Sequence, residues 1–271
     1  MIFIYPPEAI LRYGTVAIPV ASNPRAVYTS VYSRYPEKHC PKGSSNLTDD
    51  EEGIIRAENV GRSFGDIPVL DGLNLEVRQG EFLTIVGRSG VGKSTLLSIL
   101  GTHDLQHEGR LLVAGRDTSE LSSKQLADIR RNYIGYVFQD FHLMPQLTAM
   151  ENVVLPAVFS GEDLAEAKKH ATAVLNKLSV RNDDTRTSLL SRGERQRVAV
   201  ARGLVNRPSV LLADEPSASL DQESEEALFD LLDELRKDQG FSLIAVVHSS
   251  AVLDRSDRIM ELKEGRLHEA G

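Results

Sequence analysis

The sequence predicts an α/β fold: a mainly parallel sheet with helices on both faces, an antiparallel β subdomain and an inserted α-helical subdomain. Three observations carry this. From residue 54 onward, short β-branched runs alternate with helical patterns. The two opening runs look antiparallel, whereas the later ones are near-continuous apolar stretches suited to strands buried on both faces. Residues 122–190 are mostly helical in pattern, with little strand signal after "IGYVFQ".

The elements follow in order. Residues 1–53 form an N-terminal extension that holds six of the eleven prolines and five of the seven tyrosines. It ends in the polar, acidic run "KGSSNLTDDEEG", which reads as a linker. No sustained period runs through it, so poor order is the default reading. A docking peptide and an upstream start codon that is not the native one stay open. Residues 54–271 form the folded domain, entered by "IIRAENV" and "PVLDGLNLEV". "FLTIV" (82–86) then precedes the helical "KSTLLSILG", and the helical subdomain spans roughly 140–190. "SVLLAD" (209–214) precedes "QESEEALFDLLDELRK", and "SLIAVV" (242–247) follows it.

Composition narrows the function. A formal net charge of −8 gives the molecule no cationic field, so nucleic acid is not an expected partner. The single cysteine, Cys40, excludes an internal disulfide framework and a cysteine-rich zinc site. The apolar N-terminal stretch is interrupted by Glu8, Arg12 and Pro6-Pro7, which argues against a secretory signal.

"GRSGVGKST" satisfies G-x-x-x-x-G-K-[ST] from Gly87 through Arg88, Ser89, Gly90, Val91, Gly92, Lys93 and Ser94, with Thr95 next. A strand enters and a helix leaves, the context a phosphate-cradling loop needs. The glycines let successive N–H groups point at an anion, and the helix adds its positive end. Lys93 supplies a point charge for β- and γ-phosphates, and Ser94 a hydroxyl for Mg²⁺. An acidic metal partner is expected on a neighbouring strand, and "SVLLADEPSASLD" supplies Asp214, with Glu215 placed to polarise an attacking water.

Together these residues resemble the ATP-binding subunits of ABC transporters over essentially all of residues 54–271. "LLSRGERQRVAVARGLVNRP" resembles the family signature, and "YVFQDFHLMPQLTAMENV" the Q-loop with Gln139 as its glutamine. "SASLD" (217–221) looks like the D-loop, His248 falls at the switch-histidine position, and Phe64 at that of the adenine-stacking aromatic. Alone, Phe64 would more often be a core residue, and Gln139 and His248 ordinary polar residues; their order along the chain favours the family. The resemblance implies a phosphate-loop NTPase core binding ATP and Mg²⁺, the metal held by Ser94, Gln139 and Asp214. It implies catalytic roles for Glu215, His248 and Gln139. It also implies a head-to-tail homodimer in which Ser191 and Gly193 contact the partner's nucleotide, and integral membrane permease subunits that hold the chain at the cytoplasmic face of the inner membrane.

The signature departs from the family at Arg192, where glycine is usual. Arginine does not adopt positive φ cheaply, so the side chain is expected to point away from the nucleotide or to add charge beside it. "SASLD" and "VVHSS" depart mildly beside functional residues. The Q-loop and signature segments are most similar to the LolD/MacB group, implying a lipoprotein-releasing ATPase. A MacB-type antibiotic or peptide exporter and a cell-division relative are the alternatives. Rivals of other classes are a soluble ABC ATPase acting on DNA or ribosomes and a binding-only pseudoenzyme. The guanine-reading Asn-Lys-x-Asp motif is not found.

Overall fold

The structure, a computed structural model, describes residues 53–181, 184–218, 220–247 and 249–270. The expectations for residues 1–52 and for His248 lie outside these residues.

β1 (Ile55–Phe64) and β2 (Ile67–Val77) form an antiparallel hairpin, as their sequence suggests. β1 pairs on its other edge with β4 (Glu108–Val113), which pairs with the short β5 (Arg116–Asp117). The resulting four-stranded antiparallel sheet has the order β2-β1-β4-β5. A six-stranded sheet of order β10-β9-β3-β8-β7-β6 carries the rest. In it, β3 (Phe82–Val86), β6 (Ile134–Val137), β7 (Val210–Asp214), β8 (Ser242–Val246) and β9 (Arg258–Lys263) run parallel. Only β10 (Arg266–Glu269) is antiparallel, paired to β9.

The uninterrupted apolar runs of β7 and β8 have a physical cause. Successive side chains in a strand point to opposite faces, and here both faces are covered. Val210, Leu212, Ile244 and Val246 join one core with Leu83, Ile85 and the antiparallel sheet. That core also takes Leu96, Leu97, Ile99 and Leu100 of α1 (Lys93–Leu100). Leu211, Ala213, Leu243 and Ala245 face the other core, against Val198–Leu204 of α5 (Arg192–Leu204) and Leu228, Phe229 and Leu232 of α6 (Gln222–Gln239).

The helices between β5 and α5 divide by partner. α2 (Ser123–Tyr133) buries Ile129 in the first core, beside β6. α3 (Ala149–Phe159) and α4 (Leu164–Lys177) pack on each other and on α5 through Val153, Ala157, Ala167, Ala171, Val174 and Val198. α5 begins after residue 190 and packs on β6 as well as on these two helices. α2, α3 and α5 each open with a capping box, Ser122/Gln125, Thr148/Glu151 and Ser191/Glu194, which satisfies two otherwise unpaired groups per helix. Among the described residues no helix is long and apolar enough to cross a membrane.

Candidate functional site

The loop between β3 and α1 is shaped by its glycines. Gly87 has φ 148, and a Cβ there would lie 2.6 Å from the Leu262 carbonyl oxygen. Gly92, which caps α1, has φ 111, and its Cβ would lie 2.6 Å from Val69 Cγ1. At Gly87 another residue would have to move backbone, and at Gly92 it would have to displace the Val69 side chain and adopt a positive φ. Arg88, Ser89 and Gly90 form the exposed rim, Val91 packs on the first core, and Thr95 sits half-buried in the first turn of α1. Lys93 is buried, and its Nζ donates to the carbonyls of Gly87 (2.8 Å) and Arg88 (3.0 Å). Burial pulls its ammonium below the usual value, opposed by Glu215 and Asp214 nearby.

The acidic partner does not come from an adjacent strand as the sequence suggests: β8 lies between β3 and β7. α1 bridges the gap, since it packs against β7 and carries Ser94, whose Oγ donates to Asp214 Oδ1 at 3.1 Å. Asp214 is buried, which pushes its carboxyl above the usual range; the Ser94 hydrogen bond works against that shift, Glu215 adds to it and Lys93 opposes it. A hydroxyl and a carboxylate this close form a hard-oxygen donor pair suited to Mg²⁺.

Glu215 follows β7 with φ 46, and its N–H donates to the Val246 carbonyl at 3.2 Å. A left-handed glutamate costs about 1–3 kcal/mol and persists only where its surroundings hold it. β6 and β7 are parallel with Val137 beside Ala213, so continuing the register places Gln139 opposite Glu215. Gln139 Nε2 indeed donates to Glu215 Oε2 at 2.8 Å. Lys93, Ser94, Asp214, Glu215 and Gln139 thus stand together at the carboxyl edge of the parallel sheet, where ligands of open α/β sheets bind.

Phe64 ends β1 with half its surface exposed (51%), which excludes the core reading, and Arg62 lies 4.2 Å from its ring centroid. An open groove of about 680 Å³ begins at Ile67, its partner across the hairpin, and reaches Gly90 and Val91 of the loop.

The signature residues stand at the start of α5. Among the described residues no hydrogen bond joins Ser191 or Gly193 to the loop of their own chain. Ser191 is the N-cap: its Oγ accepts from Glu194 N (3.2 Å) and donates to Glu194 Oε2 (2.8 Å). Arg192 is the first helical residue, so the concern over positive φ does not arise. Among the described residues nothing crowds position 193, where a Cβ would make ordinary contact with Leu220 Cδ2 at 3.5 Å. Asp221 caps α6 by accepting from Ser224 N at 2.8 Å.

Sequence reasoning missed the turn after Gln139. Phe141 and His142 both have left-handed backbones, φ 60 and 48. Arg202 of α5 donates to both of their carbonyls, at 2.6 Å to Phe141. Burial brings the Arg202 guanidinium down to about 10. Without a glycine, the pair leaves no local signal in the sequence.

The family model described as "ABC transporter" matches residues 70–218. The chain is 42% identical over 226 residues to the lipoprotein-releasing system ATP-binding protein LolD of Xanthomonas campestris, covering 82% of this chain and 95% of that one. It is 43% identical over 219 residues to the macrolide export ATP-binding/permease protein MacB of Brucella melitensis, covering 79% of this chain and 34% of that one. Among solved structures, the dimeric post-hydrolysis state of the ATP-binding cassette MJ0796 bound to ADP and Pi superposes with a TM-score of 0.73 at 37% identity. That match covers 79% of this chain and 97% of the cassette.

Proposed function

The chain belongs to the ABC transporter family as an ATP-hydrolysing subunit, and from that membership we propose that it powers lipoprotein release from the inner membrane. The observation that carries the reading is the 42% identity to LolD along 95% of that protein. In this reading, residues 54–271 are the ATP-binding domain. Two copies pair head to tail, with each ATP between one chain's Gly87–Thr95 loop and the other chain's Ser191 and Gly193. The MJ0796 cassette, dimeric and bound to ADP and Pi, supports the pairing of two copies. So does Gly193, where no described residue of its own chain crowds the space a side chain would fill.

Each group then has a task. The loop N–H groups and Lys93 bind the phosphates. Glu215 polarises the attacking water, and Gln139 fixes the Glu215 carboxylate through its 2.8 Å hydrogen bond. Ser94, Asp214 and Gln139 would hold Mg²⁺, which when bound neutralises charge on the phosphate oxygens. We assign His248 to the γ-phosphate on its place in the sequence alone. Closing the dimer on ATP and opening it after hydrolysis would drive permease subunits that hold the chain at the cytoplasmic face.

Reconstituting the chain with a lipoprotein-releasing permease tests this. ATP-dependent transfer of a labelled lipoprotein out of proteoliposomes is the expected result. The 43% identity to MacB favours a second reading, export of a macrolide. ATP hydrolysis stimulated only by a macrolide-exporting permease, with no lipoprotein release, would replace the first reading by the second.

Phe64 offers an independent check. Stacking of a base on an aromatic ring is worth roughly 1–3 kcal/mol. Phe64→Ala should therefore raise the KM for ATP about 5- to 150-fold with kcat little changed, and Phe64→Tyr should behave as the wild type. Steady-state kinetics over an ATP titration reads both.

A further inference from the structure

Arg192 is the residue the family reading leaves without a task, and the structure places its charge within its own chain. Its guanidinium carbon lies 5.8 Å from the centroid of the Phe141 ring, and that of Arg195, one turn on, lies 6.0 Å from the same ring. A guanidinium within about 6 Å of an aromatic centroid is attracted by the ring's quadrupole. Arg195 Nε is buried with no hydrogen-bond partner among the described residues, which suits an arginine held against a ring.

The ring belongs to a strained turn. Phe141 and His142 both sit in the left-handed region, where non-glycine residues need outside support. Arg202, two turns further along α5, supplies part of it by donating to both carbonyls. Arg192 and Arg195 reach the same turn over the Phe141 ring. Two residues before Phe141, Gln139 reaches Glu215 at 2.8 Å.

We propose that Arg192 and Phe141 are positioning residues: the arginine in the signature grips the Q-loop of its own chain through the Phe141 ring and so sets Gln139 against Glu215. The signature's departure from glycine is then a gain in coupling. The signature that meets the partner's nucleotide and the glutamine that orients the water-polarising carboxylate would shift as one piece. This rests on the reading of Gln139 and Glu215 given above.

The test is a set of purified proteins: wild type, Arg192→Gly, Phe141→Leu, the double variant and Phe141→Tyr. ATPase kcat and KM and a thermal midpoint are measured for each. An exposed cation–π contact is worth little, so each single variant should lower kcat about two- to five-fold with KM for ATP unchanged. The double variant should be no worse than Phe141→Leu alone, and Phe141→Tyr should match the wild type. Additive losses, a change confined to KM, an Arg192→Gly protein as active as the wild type, or loss of activity in Phe141→Tyr at an unchanged midpoint would overturn the proposal. Glu215→Gln in the same assay separates the two levels. If it hydrolyses ATP at the wild-type rate, the site reading fails; if it is inactive while the set behaves additively, only the grip fails.

Discussion

Glu215→Gln is expected to slow ATP hydrolysis by roughly 10²- to 10⁴-fold, the usual contribution of a positioned general base, while leaving ATP binding intact. The substitution is nearly isosteric. The Gln139 amide, which donates to Glu215 Oε2 at 2.8 Å, can donate equally to an amide oxygen. Lys93, Ser94 and Asp214 keep their contacts, because none of those hydrogen bonds passes through Glu215. Binding energy still closes the dimer, and the step that opens it is lost. The variant should therefore accumulate as an ATP-bound dimer. Single-turnover hydrolysis and the mass of the particle in ATP read both halves of the result.

Gly193→Asp should separate folding from function in the opposite sense to most glycine substitutions. In the protomer the change is benign. The position is helical, a Cβ there meets Leu220 at 3.5 Å, and aspartate outranks glycine in a helix. A carboxylate in the first turn also complements the helix dipole by about 0.3–1 kcal/mol. The thermal midpoint should hold or rise slightly. Across the dimer, the new carboxylate would face the partner's γ-phosphate, and like charges brought together at an interface cost several kcal/mol. ATP-driven dimerisation should weaken by at least about 100-fold. A protein that melts early would instead mean that glycine serves the chain's own fold.

The parallel strands were legible because two covered faces leave no place for polar residues, so "SVLLAD" and "SLIAVV" announce themselves. Strands at the sheet edges were not. β10 is mostly exposed and reads as the charged "RLHE", and β4 opens with the exposed "EGR". Their signals lay in the turns, Ala114-Gly115 and Glu264-Gly265, where both residues take positive φ. The capping boxes at Ser122, Thr148 and Ser191 were also written in the sequence as [S/T]-x-x-[E/Q]. Ser191 thus caps its own helix besides any contact across a dimer.

The site was legible where a motif has a local physical cause. The glycines at 87 and 92 meet backbone and side-chain atoms that leave no room for a Cβ. The meeting of Gln139 with Glu215 follows from the parallel register of β6 and β7. The fold rather than the sequence shows how α1 crosses β8 to bring Ser94 to Asp214. The carbonyls of the Phe141–His142 turn are held by Arg202, 61 residues from Phe141. No local pattern encodes that.

The central claim is that two copies of this chain share ATP between loop and signature. Light scattering on Glu215→Gln with ATP, and on the Glu215→Gln, Gly193→Asp double variant, tests it most directly. The account predicts that ATP doubles the particle mass of the first and leaves the second a monomer. A Glu215→Gln protein that stays monomeric while saturated with ATP, or a double variant that dimerises as readily, would contradict it.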